Sequence, residues 1–260
     1  MEELLSVNRF PIAVQPYTVR DALSRDYAGT LEKLSAIGFE GIELGPPPEG
    51  MTVSEQKELL ARLNLQVVGA HASFDNLDVD FGKLIEYLHE VGGRYVAVSM
   101  KFESKEDALR KAERFNRIGK LCRDAGTTFL YHNHDWEFER YDGEYVLDLI
   151  LRETDPELVK LELDTYWVAK GGEDPAAFLR KLKGRCPLLH IKDMEAGEER
   201  FFAEIGEGVL DFRAIADAAA EVGTEWLIVE QDASRRDPLD SLAISYSNLS
   251  KLDLNRKNAG

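Results

Sequence analysis

Short apolar runs alternate with longer amphipathic stretches from one end of the chain to the other. The runs are FPIAVQPYTV (residues 10–19), FEGIEL (39–44), LQVVGAH (65–71), RYVAVSM (94–100), TTFLYHNH (127–134), LVKLELD (158–164), CPLLHIKD (186–193) and EWLIVE (225–230). Each has the length and β-branched content of a buried strand, and period-two alternation sets one face of each run apart from the other. Between them the apolar residues recur at helical spacing. Helices are predicted over 26–37, 53–63, 78–91, 105–125, 146–154, 175–182, 211–222 and 238–252. Gly38, Gly92–Gly93 and Gly126 supply stops, and Ser104 a cap. Gly45 with Pro46, Pro47 and Pro48 must be a rigid loop. Residues 194–208 are acidic, carry Phe201 and Phe202, and read as a long rim loop or short hairpin. The tail NRKNAG reads as disordered.

Strict strand–helix alternation predicts a parallel sheet. Eight such pairs in 260 residues match one (β/α)₈ TIM barrel, for which about 250 residues is typical. A single domain over 1–260, with a flexible tail at 254–260, is therefore expected.

Ionisable residues recur where these runs end: Glu43, His71, His132, His134, Asp164, His190 and Glu230. Glu43 and His71 lie 28 residues apart, His134 and Asp164 30, and Asp164 and His190 26, each close to one strand-plus-helix unit. In a parallel barrel such side chains converge on the carboxyl-terminal rim, where barrel enzymes keep their chemistry. YHNHDWEF places His132, His134 and Glu137 within six residues, and the two histidines share a face of the strand. Polar groups this dense inside a barrel require partners or a metal. Glu162, two residues before Asp164, reads as a deeper structural acid. Lys192 follows His190 on the same face, suited to an oxyanion or hydroxyl; pairing with Asp193 or Glu195 at the surface is the alternative.

Carboxylates plus imidazole form a hard, mostly oxygen donor set, suited to Mn²⁺, Mg²⁺ or Co²⁺, with Zn²⁺ also compatible. Such an ion polarises a carbonyl and its neighbouring hydroxyl, so that Glu137 or Glu230 can move a proton beside the carbonyl. Tyr17, Trp136, Tyr166 and Trp167 lie near strand ends, suited to sugar rings, and Glu43, His71 and His132 to substrate hydroxyls. At the ends of the last three strands Asp164, His190 and Glu230 are the expected metal ligands.

Charge and composition narrow the partners. A formal net charge of −16 disfavours nucleic acid and anionic membrane. The two cysteines, Cys122 and Cys186, are too far apart in sequence for a metal-type pair and read as reduced. No secretory signal or membrane-length apolar run is seen, so a cytoplasmic protein is expected. No Walker or GxGxxG pattern accompanies Gly206 and Gly208, and no Arg/Lys cluster marks a phosphate pocket.

QPYTVRD, GFEGIEL, YHNHDWEF, LDTYW, HIKD, GEGVLDF and IVEQD, in this order and spacing, resemble the xylose isomerase-like TIM barrels, specifically the sugar phosphate isomerase/epimerase group. The resemblance covers nearly the whole chain. It implies one divalent metal held by an acid of strand five with Asp164, His190 and Glu230, a carbohydrate substrate, and a dimer or tetramer. It implies a sugar isomerase or epimerase working through an enediolate; the alternative is a dehydratase or lyase acting on a keto-inositol or 3-keto-glycoside. Ketose epimerases of the group carry a glutamate near the position of His132, so the strand-five ligand is His132, His134 or Glu137, with Glu137 ahead; they also carry a histidine where this chain has Trp167. A three-zinc endonuclease and a non-catalytic sugar-binding barrel are the remaining readings; five histidines barely supply the first.

Overall fold

The computed structural model describes residues 9–254. Eight parallel strands form a closed barrel, as the alternation predicts. They are β1 (Ile12–Val14), β2 (Gly41–Glu43), β3 (Gln66–His71), β4 (Tyr95–Val98), β5 (Thr128–His132), β6 (Val159–Asp164), β7 (Leu188–Ile191) and β8 (Trp226–Val229). Neighbours in sequence are neighbours in the sheet, and β8 returns to β1 with Val14 opposite Val229.

The surrounding helices are α1 (Arg20–Arg25), α2 (Tyr27–Ile37), α3 (Val53–Leu63), α4 (Leu77–Val91), α5 (Lys105–Asp124), α6 (Val146–Glu153), α7 (Thr165–Lys170), α8 (Pro175–Arg180), α9 (Phe212–Val222) and α10 (Pro238–Lys251). Side chains written in the sequence start several of them. Asp26 caps α2, Thr52 and Glu55 form a capping box on α3, and Ser104 and Asp211 cap α5 and α9. Outward-facing strand residues such as Ile42, Val96, Phe129 and Leu163 pack with the helices into one apolar layer.

Two short helices and one hairpin lie outside the predicted elements. α1 and α7 have six residues each, too short for a periodic signature. α7 exists because Asp164, ending β6, caps it: its Oδ1 accepts from the Trp167 amide at 3.1 Å. A two-stranded hairpin, Arg140–Tyr141 with Glu144–Tyr145, precedes α6. The acidic segment after β7 forms a second hairpin, Asp193–Met194 with Phe202–Ala203. The tail NRKNAG and the first eight residues lie outside the described residues.

Inside the barrel, period two builds a ladder. Ala13, Val68, Tyr95, Ala97, Leu130, Leu188 and Ile228 close the amino-terminal end as an apolar floor, with Trp226 against it. Gly41 makes room there, because a Cβ would stand 2.7 Å from the Trp226 ring and 2.8 Å from Val68. One step up each strand the same face becomes polar: Leu130 gives way to His132, Leu188 to His190 and then Lys192, Ile228 to Glu230 and then Asp232. Among the described residues no helix is long and apolar enough to cross a membrane.

Candidate metal centre

Above the floor, β2, β3 and β5–β8 bring acids and imidazoles into contact. His190, fully buried, sits at the middle. Its Nε2 is 2.7 Å from Glu43 Oε2 and 3.3 Å from Glu162 Oε2, and its Nδ1 is 2.8 Å from Glu230 Oε2. His71 Nε2 lies 2.7 Å from Glu162 Oε2, and His132 Nδ1 3.1 Å from the same oxygen. Lys192 reaches three acids: Glu230 and Asp232 at 2.8 Å and Asp164 at 3.0 Å.

Burying a charge costs several kcal/mol even when it is paired, so an ionised cluster this size is poor at stabilising a fold. Its charges hold one another in place. Burial opposes a proton on His190, but Glu162 and Glu43 outweigh it and hold the pKa well above the ordinary value. His71 is raised to about 10 in the same way. Burial and the neighbouring cations push His132 down, leaving its ring neutral and free to ligate. Glu162 and Glu230 are held well below the carboxylate range against their burial, Glu162 by His190 and His71, Glu230 by Lys192 and His190.

Two sets of side chains offer ligand atoms all within 4.8 Å of one another: His71, His132, Glu162 and His190, and His132, Asp164, His190 and Glu230. The donor chemistry fits a divalent cation. Glu162 Oε1 and Glu43 Oε1 are buried without a hydrogen-bond partner among the described residues. Asp164 Oδ2 and His132 Nδ1 have charged neighbours but no hydrogen bond of good geometry. Buried oxygens left this way are costly unless a cation takes them. The second set lies toward the mouth beside Lys192 and contains Asp164, His190 and Glu230. The strand-five residue it brings in is His132, one of the three candidates there and also expected on substrate.

Glu137 and His134, expected as ligands, are in neither set. The chain leaves strand geometry after His132. Glu137 then turns back: its Oε2 accepts from the His134 amide at 2.9 Å and its Oε1 contacts the Tyr131 hydroxyl. Tyr131 can donate instead to the Met100 carbonyl, 3.0 Å away. Burial raises the Glu137 pKa to about 8 despite these donors. A protonated Glu137 donating to Tyr131, with Tyr131 donating to Met100, satisfies every group. His134 stacks on Trp136, ring centroids 4.0 Å apart, and burial drives its pKa down to about 2.

Glu43 also departs from its expected place on a substrate hydroxyl. It is only 2% exposed and is bound to His190 and, at 2.9 Å, to Gln15 Nε2. Short β2 points it into the barrel, where it can orient His190 as metal-bound imidazoles are commonly oriented. His71, with its side chain 31% exposed, does line the mouth, together with Tyr17, His132, His134, Lys192, Glu230 and Asp232. This opening holds about 320 Å³. Trp136 donates to the Met100 carbonyl at 2.9 Å, and the Trp167 ring centroid lies 5.8 Å from Lys192 Nζ. Tyr166 is buried, stacked on Phe202, with its hydroxyl on the Arg200 carbonyl.

Sequence reasoning missed Asp232 and Gln15. Asp232 was detectable: it stands two residues after Glu230, in the same strand phase. Asp193 does not pair with Lys192. It is buried and accepts from the amides of Met194, Gly206, Gly208 and Leu210 at 2.8–3.1 Å, tying down the rim hairpin.

Comparison with known proteins agrees with this architecture. A family model described as the xylose isomerase-like TIM barrel matches residues 31–249. An inosose dehydratase of Lacticaseibacillus casei is 25% identical over an alignment of 255 residues, covering 81% of this chain and 84% of that protein. A sugar phosphate isomerase/epimerase of Parabacteroides distasonis superposes with a TM-score of 0.79 at 24% identity, covering 95% of each chain. The IolI protein, solved with a bound zinc atom, superposes with a TM-score of 0.71 at 16% identity, covering 95% of this chain and 99% of that one. The two structural likenesses establish the fold.

Proposed function

As the chain belongs to the xylose isomerase-like TIM-barrel family, we infer that it is a divalent-metal-dependent lyase that dehydrates a keto-polyol or opens a keto-glycoside. The carrying observation is the meeting of His132, Asp164, His190 and Glu230 ligand atoms within 4.8 Å, with Lys192 beside two of the acids. These four would hold the ion, and a Mn²⁺, Mg²⁺, Co²⁺ or Zn²⁺ bound there would favour negative charge on a substrate carbonyl oxygen.

The chain's own groups divide the remaining work. Glu230, kept ionised by the Lys192 ammonium, takes the proton from the carbon beside the carbonyl, and those electrons form the new carbon–carbon double bond. The carbon–oxygen bond one position further then breaks, and the departing oxygen needs a proton. Asp232 supplies it: burial lifts its pKa to about 6 against the pull of Lys192, close to a working neutral pH. Lys192 holds the acid and the base at 2.8 Å from one ammonium. Glu43 keeps the His190 ring in register, and His71 and Tyr17 meet hydroxyls at the mouth.

Elimination is favoured over the isomerase or epimerase reading on two grounds. The inosose dehydratase relative spans most of the chain. And epimerisation needs a second base on the opposite face, where the ketose epimerases this chain resembles carry a strand-five glutamate and this chain carries His132. The test uses metal-loaded enzyme with 2-keto-myo-inositol and methyl 3-ketoglucoside in D₂O. Metal-dependent enone absorbance with exchange of the α-proton is expected. Exchange without enone would move the protein to the epimerase reading, and no exchange would end both.

A further inference from the structure

Beside the mouth lies a second cavity of about 300 Å³, lined by Arg20, Arg25, Asp21, Gln231, Ser234 and Asp237 among others. Asp232 lines both spaces. Its carboxylate faces Lys192 at 2.8 Å, while its backbone carbonyl accepts from Arg20 Nη1 at 3.3 Å. One residue therefore separates the reaction centre from the second cavity. Tyr17 bridges the same boundary on the outside, 52% exposed with Arg20 4.2 Å over its ring.

The lining chemistry suits a neutral, hydroxyl-rich ring. Arg20 and Arg25 are offset by Asp21, Asp232 and Asp237, leaving no positive excess to draw a phosphate. Gln231 is 4% exposed, and among the described residues neither its Oε1 nor the Ser234 hydroxyl has a hydrogen-bond partner. Val19, Ala22 and Leu239 add an apolar strip against which a sugar's C–H face can rest. Each space alone is near the lower end of the ~300–1,000 Å³ range of small-molecule pockets, enough for one ring; together they hold two.

We propose that the second cavity is a subsite for a second sugar ring, so that the substrate is a keto-disaccharide or similar glycoside, not a free keto-inositol. This rests on the lyase reading above. The keto ring sits over the metal ligands, and its neighbour passes Asp232 to lie between Arg20 and Gln231.

The test compares 3-ketocellobiose, oxidised on its non-reducing ring, with methyl 3-ketoglucoside on the metal-loaded full chain. A kcat/KM at least about tenfold higher for the disaccharide is expected, since the added ring contributes binding the methyl group lacks. Ala233→Trp, at the exposed edge of the second cavity, should remove that advantage and leave the methyl glycoside unchanged. Equal kcat/KM in the wild type, or an advantage that survives Ala233→Trp, overturns the subsite. If neither compound reacts, the lyase reading fails separately, and calorimetry with cellobiose decides the subsite: binding by the wild type that Ala233→Trp abolishes supports it. Absent or identical binding refutes it.

Discussion

The two ends of the barrel interior are made from the same strands and the same face, yet they are chemically opposite. At the floor, Leu130, Leu188 and Ile228 are fully buried in one apolar cluster. Two residues further along each strand, His132, His190 and Glu230 are as deeply placed but charged or ring-polar. The floor is what a folding barrel requires. The upper layer stacks five carboxylates, Glu43, Glu162, Asp164, Glu230 and Asp232, against imidazoles and one ammonium, which folding alone does not favour. A rise of about 7 Å along a strand, two residues, thus separates the part that stabilises from the part that reacts.

Substitutions in the two layers should separate these roles. The largest effect is expected from Glu230→Gln, which removes both the proposed base and a ligand: kcat/KM should fall by about 10³-fold or more, a barrier change of roughly 4 kcal/mol. Circular dichroism and the melting midpoint should change little. A loss of folded protein would instead place Glu230 among structural groups.

Leu130→Ala, one rung below His132, should do the reverse. A buried Leu→Ala change costs about 2–5 kcal/mol of stability, read by denaturant unfolding. Calorimetric metal affinity should stay within about threefold. Coupled loss of metal binding would show that floor and mouth are not independent layers.

Glu43→Gln tests whether an acid that orients a ligand behaves unlike the ligand itself. Metal affinity should fall about 10- to 100-fold while saturating metal restores most of the turnover. If saturation restores nothing, Glu43 acts on the substrate.

The smallest effect is expected at Glu137, a buried acid outside both ligand sets. Its folded pKa is raised to about 8 from an ordinary 4.5, so between those values the folded state carries a proton the unfolded chain has lost. Stability from this group is therefore present below about pH 4.5 and falls as pH rises to 8. Glu137→Gln keeps the same bonds without a titrating proton: activity should stay within about twofold, and the decline in stability over that window should flatten. A large loss of metal affinity would return Glu137 to the ligands.

Most of the architecture was legible before any coordinates. Apolar runs with helical stretches between them dictate parallel strands, and the cap read at Ser104 marks the start of α5. The rung of each inward polar residue was legible too, because a strand's period is two and His132, Asp164, His190, Lys192 and Glu230 end their runs in phase. What failed was the stretch just past β5. There Asn133 turns to accept the Asp164 amide at 2.9 Å and Glu137 folds back onto the His134 amide. The first bond joins residues 31 apart, whose proximity no local pattern encodes, and the second is a three-residue turn that breaks the strand's period of two.

Local order in the sequence therefore determined which side chains face inward and at what height, since that depends only on backbone period and burial. Which of them meet was decided by closure of the barrel, which sets Glu43 of β2 2.7 Å from His190 of β7 across 147 residues of chain. Closure likewise draws Lys192 between acids from two other strand ends, and sets Asp232 between two cavities. Contacts across the barrel depend on strand tilt and register around the whole ring, and these are collective properties that no single run of residues carries.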